Sequence, residues 1–219
     1  MAAGGLHMLH QSGDREAPPC SVAVSKRNPG RWDTDFHPVL ATPAARLRKL
    51  WPDDRYRLIE IFAEQERPEG TIDAPRHFDA DNARRWIAAR MVEEERGYAL
   101  HWAVCLLSED RLVGYVGLDD IDLQHRQAEL CFWLDCLHGS KEFQVEVAHA
   151  ALAFAFTSMA LTSMRSVSVP GRSEPAGVLT TLGMRQLQPT SRQGHVWTRF
   201  DDVHIWTITR DHWLQRLRS

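Results

Sequence analysis

Hydrophobic and polar positions change rhythm several times along the chain, and each change predicts an element. ARLRKLW (45–51) alternates imperfectly and predicts a short first strand. PDDRYRLIEIFAEQE then reads as a helix, with Pro52 and Asp53 in its first turn and Tyr56, Ile59, Phe62 and Ala63 as an apolar stripe. Beyond the Pro/Gly break RPEGTIDAP, residues 79–96 predict a second helix. Asp79 or Asp81 caps it, and Ala83, Trp86, Ile87, Arg90 and Met91 recur at helical spacing. HWAVCLL (101–107) and RLVGYVGL (111–118) read as strands joined by a hairpin-sized Ser-Glu-Asp link, and QAELCFWL (127–134) as a third after the polar turn DIDLQHR. Residues 143–160 are apolar almost all round, the pattern of a centrally buried helix. SMRSVSV (163–169) predicts a strand and residues 174–183 a short helix ended by Gly183. GHVWTRF and VHIWTITR predict two closing strands turned through Asp201 and Asp202. The order β-α-α-β-β-β-α-β-α-β-β implies an α+β layer fold with a mixed sheet.

Residues 1–43 lack this rhythm. They are rich in Gly, Pro and Ser, and read as a mobile or loosely docked extension whose apolar patch, 36–40, can pack on a body spanning 44–219. At 43% hydrophobic and 25% charged residues, the chain supports a real core. A net charge of -3 gives no support to non-specific nucleic-acid binding. No apolar run reaches the roughly 18 to 20 residues of a membrane span. The start, MAAGGLHMLHQSGDRE, lacks the pattern of a secretory signal, so a cytoplasmic location is expected. Exposed tail strands would suit a homodimer. Cys20, Cys105, Cys131 and Cys136 form no CxxC pair, and the eleven histidines form no HExxH grouping, so no metal is expected. Cys131 and Cys136 read as small apolar fillers, His149 and His204 as helix or strand-rim residues. Trp133, Trp197 and Trp206 read as sheet and core aromatics, one of which could wall a pocket.

The chemistry is concentrated around CLHGSKEFQVEV (136–147), a loop between a strand and the buried helix. Such loops hold phosphate on free backbone N–H groups, usually with glycines that let the backbone approach. This one has a single glycine, Gly139, and Glu142 in its middle. In the preceding strand, alternation places Ala128, Leu130, Phe132 and Leu134 on one face and Glu129, Cys131 and Trp133 on the other.

Several stretches in this order resemble the GNAT superfamily of N-acetyltransferases, in particular its RimJ/RimL-like branch. They are LVGYVGLDDID (112–122), AELCFWLD (128–135), LAFAF (152–156) and TLGM (181–184), with VHIW and TRDHW behind them. The resemblance runs from about Arg46 to Trp213. It implies transfer of an acetyl group from acetyl-CoA to a primary amine, either a protein N-terminus or a small molecule. It further implies a strand splayed from its neighbour to receive the pantetheine arm, a loop holding the pyrophosphate, and direct attack by the amine. It would put cofactor contacts at Trp133 and Leu134, at Gly139, Ser140, Lys141, Glu142, Phe143 and Gln144, and at Arg172. Glu129 falls where the family carries a glutamate near the reacting centre. It reads either as a base acting through a water or as a sheet glutamate paired with an arginine or capping a loop. Ser173 reads as a thiolate proton donor or, more simply, as the cap of the 174–183 helix, with Pro175 in its first turn.

The loop departs from the family pattern of Arg or Gln, two variable residues, Gly, one variable residue, then Gly or Ala. Gly139, Glu142 and Gln144 occupy the fixed positions. Side chains there are tolerable if they point outward, but a glutamate beside a pyrophosphate is repelled by roughly 1 to 4 kcal/mol. An Asn and a Ser expected before the later helix are replaced by Arg172 and Pro175. The alternative expectation is therefore a non-catalytic member of the fold that has lost acetyl-CoA and serves in binding or regulation.

Overall fold

Strands that are apolar on both faces need a cover on both, and here helices supply it. The computed structural model describes residues 37–64, 79–135, 137–168, 173–187 and 203–218. A two-residue edge strand, β1 (Leu40–Ala41), precedes β2 (Ala45–Lys49), α1 (Asp54–Glu64) and α2 (Ala80–Glu95). There follow β3 (Leu100–Leu106), β4 (Leu112–Asp122), β5 (Gln127–Leu134) and α3 (Lys141–Thr157). The chain closes with β6 (Ser163–Ser168), α4 (Ser173–Thr181), β7 (Arg185–Gln186), β8 (His204–Thr209) and α5 (Arg210–Arg216). One eight-stranded sheet runs β1-β2-β3-β4-β5-β6-β8-β7, antiparallel throughout except between β5 and β6. The fold is α+β with a mixed, mostly antiparallel sheet, as the element order implies.

The two cores follow the alternation. Beneath α3, Leu47, Trp102, Val116, Leu118, Leu130 and Phe132 meet Leu152, Phe154 and Phe156. Beneath α1 and α2, Ala103, Cys105, Tyr115 and Trp133 meet Leu58, Ile61, Trp86 and Ile87. Each large side chain fully buried this way stabilises the fold by about 1.5 to 3 kcal/mol.

Several boundaries differ from the sequence expectation for local reasons. The first strand stops at Lys49 rather than Trp51, because Asp54 gathers the chain there. Arg48 donates to both Asp54 oxygens at 2.8 Å, and the Trp51 N–H to one of them at 2.7 Å. The stripe of α1 is rotated from the expected one. Leu58 and Ile61 are fully buried, Ile59 and Phe62 pack at the edge, and Tyr56 is exposed. β4 continues to Asp122 past an irregularity in its pairing with β5. α3 begins at Lys141, because the Ser140 hydroxyl accepts the Phe143 N–H at 3.2 Å. Gly183 has φ +88 after α4, the conformation its place at the end of that helix requires. VHIWTITR yields β8, but TRDHW turns into α5, capped by Thr209 and anchored by buried Trp213. The expected strand GHVWTRF lies outside the described residues, and the strand seen beside β8 on the side away from β6 is β7.

Candidate active site

The site begins where β5 and β6 part. Their backbones pair at Gln127, Ala128 and Glu129 with Ser163, Met164 and Arg165, and no further. Neither strand ends there, since β5 stays paired to β4 through Leu134 and β6 to β8 through Ser168. The Ser166 hydroxyl donates to the Leu130 carbonyl at 2.7 Å, closing the narrow end of the gap. Beyond it, one edge of residues 131–134 has no strand beside it among the described residues.

This open edge leads to the first turn of α3, the positive end of a 17-residue helix. The intervening loop is braced from below. Asp135, almost wholly buried, accepts from the His138 backbone N–H at 2.8 Å and lies 2.7 Å from its ring Nδ1. Arg57 reaches the other Asp135 oxygen at 3.3 Å. Gln144 does not point outward as tolerance would require: it is buried, and its amide donates to the Gly139 carbonyl at 2.7 Å. Its backbone N–H goes to Ser140 O at 2.9 Å. The loop shape that small residues would permit is therefore held here by an amide clamp. Glu142 lines a shallow groove of about 520 Å³ with Leu40, Pro43 and His149, on the β1 side of α3. Lys141 lies on the opposite side, where a β-carbon on Gly177 of α4 would meet its Nζ at 3.8 Å. The acid thus faces away from α4 and the base towards it, which weakens the repulsion expected from the sequence. Phe143 is partly buried against the core, and Trp133 meets Phe62 edge to face at 5.3 Å. Leu134 is buried. Arg172 lies outside the described residues, and Ser173 is the first residue of α4.

Glu129 sits at the last paired position, opposite Asp119 on β4 and Arg165 on β6. Arg165 donates to Glu129 at 2.9 Å and to Asp120 at 2.6 Å. Burial pushes the Glu129 carboxyl above its ordinary range; Arg165 opposes this, and Asp119 and Asp120 add to it. The arginine pairing of the second reading is present, and the raised carboxyl is what the first reading would require.

Next to it lies a network that sequence reasoning missed. His101 is fully buried, its Nδ1 is 2.6 Å from the Tyr115 hydroxyl, and its Nε2 is 3.1 Å from Glu93. The Cys131 thiol donates to Asp119 at 3.0 Å and lies 3.6 Å from the Tyr115 hydroxyl, so Cys131 is a polar participant and not the apolar filler expected. Gly117 makes room: a β-carbon there would collide with the Tyr115 hydroxyl and sit 2.9 Å from Cys131 Sγ. Tyr115 is held far above its ordinary pKa by burial, then by Asp119 and Cys131. Potential ligand atoms of Glu93, His101 and Asp119 lie within 4.8 Å of one another, but both imidazole nitrogens already have protein partners. The only sequence signal for this network was the period-2 placement of Asp119, Cys131 and Glu129 on polar-capable positions of adjoining strands.

The acetyltransferase (GNAT) domain family matches residues 45–185, well over half of the chain. Among curated proteins no relative matches. Solved structures with a similar fold include Mycobacterium smegmatis RimJ in complex with CoA-disulfide, at 17% identity and TM-score 0.63, covering 83% of this chain and 94% of that one. A variant of the spermidine N-acetyltransferase SpeG from Vibrio cholerae aligns at 18% identity and TM-score 0.60, covering 78% and 98%. The apo form of FdhC, a nucleotide-linked sugar GNAT, aligns at 13% identity and TM-score 0.67, covering 83% and 95%. With that family match spanning residues 45–185, this chain belongs to the GNAT acetyltransferase family.

Proposed function

We propose that the protein is a cytoplasmic N-acetyltransferase that moves an acetyl group from acetyl-CoA to a primary amine. The observation that carries this reading is the gap between β5 and β6, which opens at Glu129 and runs to the first turn of α3. Acetyl-CoA would supply a thioester whose carbonyl an amine can attack without a covalent enzyme intermediate. The chain's own groups fit its parts. The uncovered edge of residues 131–134 offers backbone groups to an extended amide arm, as a missing strand would. The start of α3 and Lys141 offer positive potential to phosphate. Glu129, proton-retentive and one step from the gap, takes the amine proton, and Arg165 and the β4 backbone fix its position. RimJ was solved with a CoA-derived ligand, which supports the same donor here.

A second reading, a binding or regulatory protein without acetyl-CoA, is favoured by one observation: the Gln144 clamp stands where the family keeps a small residue. The two separate in one experiment. Thiol release from acetyl-CoA is followed over a panel of spermidine, N-terminal peptides and amino sugars, beside calorimetric titration of acetyl-CoA. Turnover by the wild type, reduced at least about 100-fold in Glu129→Gln, supports the enzyme. Binding seen only after Gln144→Ala supports the second reading.

A further inference from the structure

Resting on the acetyltransferase reading, we propose that His101 is a positioning residue that carries the acceptor proton from the carboxylates beside Glu129 out to Glu93. The amine enters as an ammonium ion and must lose one proton before it attacks. As the C–N bond forms and the C–S bond breaks, a second proton passes from nitrogen to the departing thiolate, which leaves as the free thiol. Glu129 and Asp119 stand opposite each other on β5 and β4, so the first proton has two carboxylates to meet. Both lie in a partly desolvated corner, and a base there works repeatedly only if its proton can leave.

The geometry supplies the exit. Asp119 Oδ1 is buried without a hydrogen-bond partner, 3.6 Å from His101 Nδ1. A buried carboxylate oxygen left unpaired calls for an explanation, and attraction to a protonated imidazole at that separation gives one. The Tyr115 hydroxyl, 2.6 Å from the same Nδ1, gives a second route in. Nε2 faces Glu93 at 3.1 Å. Side-chain exposure runs from 20% at Asp119 through 0% at His101 to 37% at Glu93, so the fully buried imidazole joins two carboxylates that each reach solvent. One proton arriving at Nδ1 as another leaves Nε2 moves the charge outward and leaves the ring in its other tautomer, which must be restored before the next turnover.

Surrounding groups hold His101 in this pose. From α2, Glu94 accepts the His101 backbone N–H at 2.9 Å, and Arg90 holds Glu93 at 2.9 Å. From β2, Lys49 lies 3.6 Å from Glu94, and His37, ahead of β1, reaches the His101 carbonyl at 3.1 Å. From β4 and β5 come Tyr115, Asp119 and Cys131, described above. Glu93 is held below the ordinary carboxyl range: burial raises it, but the His101 hydrogen bond and Arg90 outweigh that, so it stays an anion able to receive.

The test compares wild type with Glu93→Gln, His101→Gln and Tyr115→Phe, their folding checked by circular dichroism. In Glu93→Gln, which alters a half-exposed group, kcat falls about tenfold at neutral pH with KM for acetyl-CoA unchanged. The deficit narrows as pH rises, because hydroxide and buffer take the proton that Glu93 no longer receives. A deficit equal at every pH, or abolished activity after EDTA treatment of the wild type, overturns the relay. A readout independent of turnover is 15N NMR of the His101 ring. Glu93→Gln moves the Nε2 signal and Asp119→Asn the Nδ1 signal; if neither responds, the relay is wrong even for an active enzyme. If no amine is acetylated at all, it is the acetyltransferase reading that fails, and the ring signals alone judge the contacts.

Discussion

The two faces of the central sheet are cut from the same strands yet serve different ends. Under α3, the buried residues of β3, β4 and β5 are apolar: Trp102, Val104, Val116, Leu118, Leu130 and Phe132. On the face toward α2, apolar packing gives way at one end to His101, Tyr115, Asp119, Cys131 and Glu129, linked to one another or to Arg165. The polar end coincides with the point where β5 leaves β6. Hydrophobic burial fixes the first face; the second gives up burial where chemistry needs charge, and hydrogen bonds offset the loss.

The largest expected break in this contrast is Trp102→Ala. It empties the wholly apolar face and should cost about 3 to 5 kcal/mol, read as a shifted denaturant midpoint. Gly117→Ala attacks the polar end by sterics. Its new β-carbon drives Tyr115 and Cys131 aside, at a cost of about 1 to 3 kcal/mol, and a thermal melt measures it. Glu94→Gln follows, with a pH signature. Burial raises the Glu94 carboxyl, but the hydrogen bond and charge of His37 and the His101 N–H outweigh it, so its folded pKa lies below the unfolded value. Its stabilisation is present above that unfolded value and is lost as pH falls through the folded one. The variant should therefore be weaker than wild type by about 1 to 2 kcal/mol near neutrality and match it in acid, by urea melts across pH. The smallest effect on stability, within about 1 kcal/mol, is Arg165→Met, a half-exposed pair. Functionally it is sharper: without the cation, the already raised Glu129 carboxyl rises further, and the ascending limb of kcat/KM moves to higher pH.

The apolar face was legible in the sequence because period-2 alternation in QAELCFWL and the all-round apolarity of α3 each have one physical solution. Gly183 announced a helix end in the same way. β1 and β7, two residues each, carry too little pattern to be read, and α5 is a short polar turn made stable by Trp213 packing. Glu129 was singled out through resemblance alone. Its neighbours were not legible, since Glu93, His101, Asp119 and Cys131 come from four elements, and only the fold brings them together. The loop shows a subtler limit. Composition singled out Glu142 and Gln144, but not that one turns towards β1 and the other inward as a clamp.

The most direct test of the account is hydrogen–deuterium exchange with and without acetyl-CoA, beside calorimetry on the same sample. Measurable heat, with protection concentrated at residues 130–134 and at the start of α3, is the predicted result. Absence of heat at millimolar acetyl-CoA, or protection confined to the groove between β1 and α3, would contradict it.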